Sequence, residues 1–153
     1  MPEIAADEPP SVATLDSYRT AGRAWALQSD GVVAGYVLVD VVDDAAHIEQ
    51  VSVDPAFARR GLGRQLIDHV ATVAEAEGRP AVTLTTFRDV PWNAPYYRRC
   101  GFRDLAESEL GPELRQLRDT ESAHGLDPAL RVCMRRELAP PSAPADTAGI
   151  GST

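Results

Sequence analysis

A glycine-bearing segment directly after an apolar, β-branched stretch constrains this chain more than any other feature. The strand-like residues Val51-Ser52-Val53 lead into Asp54-Pro55, and Arg59-Arg60-Gly61-Leu62-Gly63-Arg64 then opens a helical pattern. Two glycines two positions apart let backbone N–H groups approach a ligand closely. The positive end of the following helix attracts phosphate, and arginine side chains add charge-assisted hydrogen bonds to phosphate oxygens. The segment therefore predicts a site for a phosphorylated small molecule.

Two widespread phosphate-binding loops do not fit this segment. A Walker A loop ends in Gly-Lys-Ser/Thr, whereas the chain contains no lysine. A dinucleotide-binding fingerprint needs a third glycine where the helix begins and an acidic residue on the next strand. Gln65-Leu66 stand at the first of these places, and the next predicted strand, Ala81–Phe87, has no acidic residue. Both alternatives are excluded by the residues present.

Two motifs together resemble the GNAT superfamily of N-acetyltransferases. The first motif of that family reads Gln/Arg-x-x-Gly-x-Gly/Ala after a strand, which corresponds here to Ala58-Arg59-Arg60-Gly61-Leu62-Gly63 after Val53. The second contains Asn, Tyr and Gly-Phe across a short helix and turn, and it corresponds to the segment from Asn93 through Tyr97 to Gly101-Phe102. The resemblance covers about residues 11–138. Ala58 departs from the pattern, which is expected to remove one side-chain contact to the cofactor's phosphates.

The resemblance implies an α+β fold, a mixed and mostly antiparallel twisted sheet flanked by helices. The patterns predict helices over 11–23, 62–77, 93–99 and 112–123, strands over 24–28, 32–42, 47–53 and 81–87, and a final antiparallel pair over 102–107 and 130–136. The domain is thus expected at 11–138, between a loose N-terminus (1–10) and a disordered tail (139–153) that is rich in Ala, Pro and Ser.

The N-terminal strand and helix that usually begin a GNAT domain are shortened or missing before the first predicted helix. Three explanations stay open at this point. The chain is a short natural variant, or its start lies inside a longer reading frame, or a partner covers the exposed sheet edge. A second copy in a homodimer is one such partner.

The resemblance also implies acetyl-CoA as the cosubstrate, with its pantetheine arm docked beside a strand like an extra strand. Asn93 matches a family asparagine that contacts this arm, although an N-cap role for its side chain is an equal alternative. The residues expected to bind the cosubstrate are Val51, Val53, Arg59, Arg60, Gly61, Leu62, Gly63, Arg64 and Asn93.

Acetyl transfer to an amine needs a group that removes a proton from the amine and a group that protonates the leaving thiolate. Tyr97 matches the family tyrosine that protonates the sulfur, and the alternative is a core aromatic packed on Phe102. His47, Glu49, Val51 and Val53 alternate and should share one face of a strand. This arrangement puts Glu49 first, and His47 second, near the amine. The alternative for Glu49 is a solvated strand carboxylate.

Composition narrows the class of protein. The 153 residues suit one domain, and the net charge of −8 argues against a nucleic acid partner. We see no apolar run long enough for a membrane span, no leader pattern and no metal-ligand spacing, and two cysteines suit the cytoplasm. The GNAT resemblance therefore implies an N-acetyltransferase that moves an acetyl group from acetyl-CoA to a primary amine of a small molecule or peptide. The alternative is a non-catalytic, regulatory acyl-CoA-binding module.

Overall fold

The computed structural model of the chain describes residues 11–58, 60–90, 93–125 and 128–139. The predicted loose N-terminus and, apart from Ala139, the predicted tail lie outside the described residues. The helices are α1 Val12–Thr20, α2 Leu62–Ala76, α3 Ala94–Arg99 and α4 Pro112–Ala123. The strands are β1 Ala24–Ser29, β2 Val32–Val42, β3 Ala45–Val53, β4 Ala81–Phe87, β5 Arg103–Asp104 and β6 Arg131–Glu137.

The six strands form one sheet in the order β1-β2-β3-β4-β6-β5. Strands β1 and β2, β4 and β6, and β5 and β6 pair antiparallel. The predicted α+β class with a mostly antiparallel sheet is therefore confirmed. The final pair is shorter than predicted, because β5 has only two residues. After the N–H of Leu105 donates to the Cys133 oxygen at 2.9 Å, the chain turns away into a 3-10 helix at Glu107–Glu109.

Two tight turns build the β1-β2-β3 meander. Asp30 and Gly31 have φ of 55° and 78°, and Asp43 and Asp44 have φ of 52° and 66°. Positive φ at both central residues is the signature of the type I′ turn, which matches the twist of the strands that it joins. Aspartate tolerates this left-handed backbone better than most residues. The two-residue turn at Asp43-Asp44 lets β3 begin at Ala45, two residues earlier than the pattern predicted.

The chain divides into two compact units. The first contains the described residues up to Asp40 together with His47–Val70. Its buried apolar residues come from β2, β3 and one face of α2, and they include Val37, Leu38, Ile48, Leu66, Ile67 and Val70. The spacing of the α2 residues follows the helical period, so this helix forms by burying one apolar stripe. By contrast, α1 contains no buried residue.

The second unit contains Val41–Ala46 and the described residues from Ala71 onward. Its strands β4 and β6 bury their apolar side chains, and α4 packs Leu114 in a cluster with Leu110 and Cys133. The N–H groups of Glu113 and Leu114 both donate to the Asp43 carboxylate at 3.0 Å. In return, the N–H of Asp43 donates to Glu113 Oε1 at 2.5 Å. A side chain in the β2–β3 turn therefore caps α4.

A side chain on the residue before α4, Gly111, would displace the Asp43 carboxylate from its capping position. A Cβ on Gly111 would lie 2.5 Å from Asp43 Oδ2 and 2.6 Å from Cγ. Within the described ranges, none of the helices is both long and apolar enough to cross a membrane.

Candidate active site

The end of β3 and the start of α2 form the predicted phosphate loop. The N–H of Asp54 donates to the Ala34 oxygen at 2.8 Å, and the Asp54 carboxylate accepts from the N–H of Ala56 at 2.9 Å. These bonds fix the exit from β3 and start the 3-10 helix Pro55–Phe57. Arg59, one of the predicted phosphate ligands, lies outside the described residues.

The first turn of α2 has the features that an anion needs. Gly61 has φ +72°, a conformation that L side chains rarely adopt, and a Cβ built on it would meet no atom of the described residues within 4 Å. The N–H of Gln65 donates to the Gly61 oxygen at 3.0 Å. Helix geometry leaves the N–H groups ahead of it, on Leu62, Gly63 and Arg64, without intrahelical acceptors. The first turn of α2 has no acidic residue, so this positive helix end keeps its capacity for phosphate.

The two described arginines of the loop are exposed side chains with local contacts. The Arg60 guanidinium lies 5.2 Å from the centre of the Phe57 ring. The Arg64 Nε lies 3.9 Å from Asp68 Oδ2, and both side chains are about half exposed. Such a loose surface pair contributes little to stability.

The predicted face of β3 is uneven in burial. His47 is only 2% exposed, Glu49 is exposed, and Val51 and Val53 are partly buried. Alternation predicted that these residues share a face, but it could not predict which of the two titratable side chains is open to solvent. An amine arriving from solvent can reach the carboxylate of Glu49 more readily than the imidazole of His47.

Two residues near Glu49 were not predicted. The Tyr18 hydroxyl on α1 donates to Asp40 Oδ2 on β2 at 3.0 Å. Burial, this hydrogen bond and the negative charges of Asp40 and Glu49 together raise the pKa of Tyr18 above its ordinary range. Glu49 therefore lies within electrostatic reach of the Tyr18–Asp40 pair. The available signal was Asp40 itself, a charged residue inside the apolar run of β2.

Asn93 lies directly before α3, and its backbone oxygen accepts from the N–H of Tyr97 at 2.9 Å. The residue thus occupies the N-cap position that the alternative predicted, but its side chain makes no capping hydrogen bond. The residue is 3% exposed, and its Nδ2 has no hydrogen-bond partner within the described part of the chain. A buried amide donor without an acceptor costs free energy unless a ligand provides one.

Tyr97 is 6% exposed. Its ring meets Phe102 edge-on with centroids 5.9 Å apart, and it meets Tyr96 similarly at 5.3 Å. The ring is thus part of the core, as the packing alternative predicted, while Tyr96 is only partly buried. Burial, with smaller effects of Tyr96 and Cys100, raises the pKa of Tyr97 above its ordinary range. The hydroxyl therefore carries its proton at neutral pH, as an acid must.

The predicted site residues fall into both compact units. The loop, Glu49, Val51 and Val53 belong to the first unit, and Asn93 and Tyr97 belong to the second. In the ranges that the structure describes, no group of three or more His, Cys, Asp or Glu residues could hold a metal ion.

Comparison with known proteins decides the family. The model of the Acetyltransferase (GNAT) family matches residues 2–102. The chain belongs to this family. A curated relative, the [Ribosomal protein bS18]-alanine N-acetyltransferase of Salmonella typhimurium, is 43% identical over 58 residues. That stretch is 38% of this GNAT chain and 38% of the relative, so the match spans well under half of either protein.

Solved structures agree on the fold. N-acetylglutamate synthase from Neisseria gonorrhoeae, complexed with coenzyme A and N-acetyl-glutamate, superposes with a TM-score of 0.69 at 19% identity, covering 86% of this chain and 28% of that one. The ribosomal-protein-S18-alanine N-acetyltransferase of Escherichia coli gives a TM-score of 0.64 at 22% identity, covering 90% and 83%. The predicted GNAT membership is confirmed, and the class of the family is that of acetyl-CoA-dependent acyltransferases.

Proposed function

We propose that this GNAT protein transfers the acetyl group of acetyl-CoA to a primary amine by direct attack. The observation that carries the proposal is the start of α2. There a left-handed Gly61 with open space above it precedes a helix end without acidic residues. A pyrophosphate fits such a place because backbone N–H groups and the helix dipole both favour negative charge.

The proposed contacts of acetyl-CoA begin at this loop and continue along the pantetheine arm. The pyrophosphate would lie on the N–H groups from Gly61 to Arg64, with Arg59, Arg60 and Arg64 neutralising its charge. The pantetheine arm would pair with backbone groups of Val51 and Val53. The buried Nδ2 of Asn93, which lacks a partner among the described residues, would donate to a carbonyl of the arm.

The chemical step uses the two groups predicted from the sequence. Glu49 would remove a proton from the ammonium form of the acceptor, directly or through water. The amine nitrogen then attacks the thioester carbonyl, a C–N bond forms and the C–S bond breaks. The nitrogen releases its second proton to water as the amide forms, and this proton replaces the one that Tyr97 supplies. Tyr97, which keeps its proton at neutral pH, would give it to the departing CoA thiolate. His47 stays the second candidate for the base, although its burial makes it harder for an amine to reach.

A matched pair of glycine variants tests the cosubstrate site. Gly61 and Gly78 stand just before and just after α2, have φ of +72° and +79°, and would both place a Cβ in open space. Gly61→Val and Gly78→Val therefore impose similar backbone strain at opposite ends of one helix. We expect Gly61→Val to weaken acetyl-CoA binding by about tenfold or more, corresponding to about 1.4 kcal/mol, and Gly78→Val to leave it unchanged.

Calorimetry with acetyl-CoA on folded protein makes this comparison. Equal affinities for the two variants would remove the phosphate loop from the site. Turnover is followed as release of the CoA thiol over a panel of primary amines, including small alkylamines and short peptides. Tight acetyl-CoA binding without thiol release on any amine would instead identify a binding module.

A further inference from the structure

Two polar side chains from different elements meet in the first compact unit, within electrostatic reach of a third. The Tyr18 hydroxyl of α1 donates to the Asp40 carboxylate of β2 at 3.0 Å. Both groups are partly buried, and the charge of Glu49 on β3 also acts on the Tyr18 hydroxyl. The proposed reaction assigns a role to Glu49 but none to Tyr18 or Asp40.

Asp40 is an unfavourable residue for its position in β2. It follows Val37, Leu38 and Val39, which are all buried. A half-buried carboxylate loses hydration and needs compensating partners. The ion pairs within the described ranges do not include Asp40, and its hydrogen-bonding partner there is the neutral Tyr18 hydroxyl. A carboxylate can accept hydrogen bonds at about four lone-pair positions. The Tyr18 hydroxyl occupies one of them, so Asp40 can accept further hydrogen bonds.

The chemistry of the proposed step restricts what Asp40 can bind. The reacting nitrogen must lose its proton before it attacks the thioester, and Glu49 is the group proposed to take that proton. A second carboxylate on the same nitrogen would hold it in the ammonium form and oppose the reaction. A carboxylate in this position suits a different cationic group on the same acceptor, one that does not react. The net charge of −8 favours the approach of such a molecule.

We propose that Asp40, oriented by the Tyr18 hydroxyl, binds a second, non-reacting ammonium group of the acceptor. The acceptor class is then a diamine, or a larger amine with a second basic nitrogen. This inference rests on the proposed function, because it assigns the reacting amine to Glu49. Asp40 is a binding residue for the acceptor, and Tyr18 is a positioning residue that acts through Asp40.

A purely structural role of the Tyr18–Asp40 hydrogen bond predicts a different effect of mutating Asp40. Because α1 has no buried residue, the Tyr18–Asp40 bond could serve only to hold α1 on the sheet. Asp40→Asn separates the two roles, since the amide oxygen still accepts from Tyr18 while the negative charge is gone. Asp16→Asn is the control, because Asp16 is an exposed carboxylate of the same helix that pairs with Arg19. Both variants change the net charge by the same amount.

The probes are 1,4-diaminobutane, the monoamine butylamine and the uncharged 1,4-butanediol. Calorimetry measures binding of the diamine and the diol, and thiol release from acetyl-CoA measures KM and kcat for the two amines. We expect Asp40→Asn to weaken diamine binding and raise its KM by about tenfold or more, as for hydrogen bonds to charged groups. Its kcat should change little, and the KM for butylamine should change less than about threefold. Asp16→Asn should leave all values within about twofold.

Several outcomes would overturn the inference. These are equal diamine affinity of wild type and Asp40→Asn, equal losses in Asp40→Asn and Asp16→Asn, or a parallel rise of both KM values. If Asp40→Asn fails to fold, the wild type alone decides, because the inference requires it to prefer the diamine clearly over butylamine and over the diol. The two proposals fail separately. If the diamine binds in an Asp40-dependent way but is not acetylated, only the proposed acetyl transfer is wrong. If the diamine is acetylated and Asp40→Asn has no effect, only the inference about Asp40 is wrong.

Discussion

Replacing Asp43 by alanine should destabilise the second compact unit by removing the cap of α4. The Asp43 carboxylate accepts from the N–H groups of Glu113 and Leu114, each at 3.0 Å. Because Pro112 has no N–H, these are two of the three N–H groups that the start of α4 leaves without intrahelical partners. The Gly111 position before them has no side chain that could take over. The variant therefore leaves two donors at the helix start to water or to nothing.

The expected loss of stability follows from the two capping hydrogen bonds and from the backbone conformation of Asp43. Loss of an N-cap side chain costs about 0.5–2 kcal/mol. Asp43 also has φ of 52°, so alanine there adds a cost for the left-handed backbone that has nothing to do with the cap. Asp44→Ala is the matched control, because Asp44 has φ of 66° in the same turn. Its side chain is 79% exposed and pairs only loosely with Arg79 at 3.3 Å, an interaction worth little.

The quantity to measure is the difference in unfolding free energy between the two variants. Asp43→Ala should lose about 1–2 kcal/mol more than Asp44→Ala, or a Tm lower by about 2–8 °C for a domain of this size. Asp43→Asn should fall between, because asparagine accepts through one oxygen and tolerates the left-handed backbone. Chemical and thermal unfolding followed by circular dichroism give both numbers. Equal losses for Asp43→Ala and Asp44→Ala would mean that the carboxylate does not stabilise α4.

Two further predictions concern the chemical step. Tyr97→Phe keeps the ring packing but removes the hydroxyl, so kcat should fall by about 10²–10⁴-fold with acetyl-CoA affinity nearly unchanged. Because burial raises the pKa of Tyr97, the wild-type rate should show no loss from this group below about pH 10, and full activity of the variant would assign thiolate protonation elsewhere. Glu49→Gln should lower kcat/KM most at low pH, where the amine is largely protonated. A pH–rate profile of unchanged height and shape would remove Glu49 from the mechanism and leave His47 as the next candidate.

Local patterns predicted the elements of this fold well because each depends on neighbouring residues. The apolar stripe of α2 and the turn residues at Asp30-Gly31 and Asp43-Asp44 each have a short-range signal. The cap on α4 had none, since Asp43 and Glu113 are 70 residues apart. The predicted strands at 32–42 and 47–53 leave room for a turn at Asp43, but they give no sign that its side chain also caps α4.

The candidate site divides in the same way. The glycine spacing could be read from the sequence because the backbone of such a loop requires it, and the Asn93 and Tyr97 motif could be read because it resembles the family pattern. Burial, which distinguishes His47 from Glu49, could not be read. The missing capping hydrogen bond of the Asn93 side chain could not be read either. The Tyr18–Asp40 bond joins a helix to a strand 22 residues away. Its only trace in the sequence is a charged residue inside a β-branched run.

The absence of buried residues in α1 has a consequence for the motions of the first compact unit. A helix with an 82% exposed Val12 and no buried side chain has little packing free energy, so its backbone amides should exchange with solvent well before those of α2. The Tyr18–Asp40 hydrogen bond then holds the helix whose amides we expect to be less protected from exchange than those of α2. A ligand that binds to Asp40 and Tyr18 would slow amide exchange along all of Val12–Thr20. The exchange rate of α1 would then measure how much of the protein has this ligand bound.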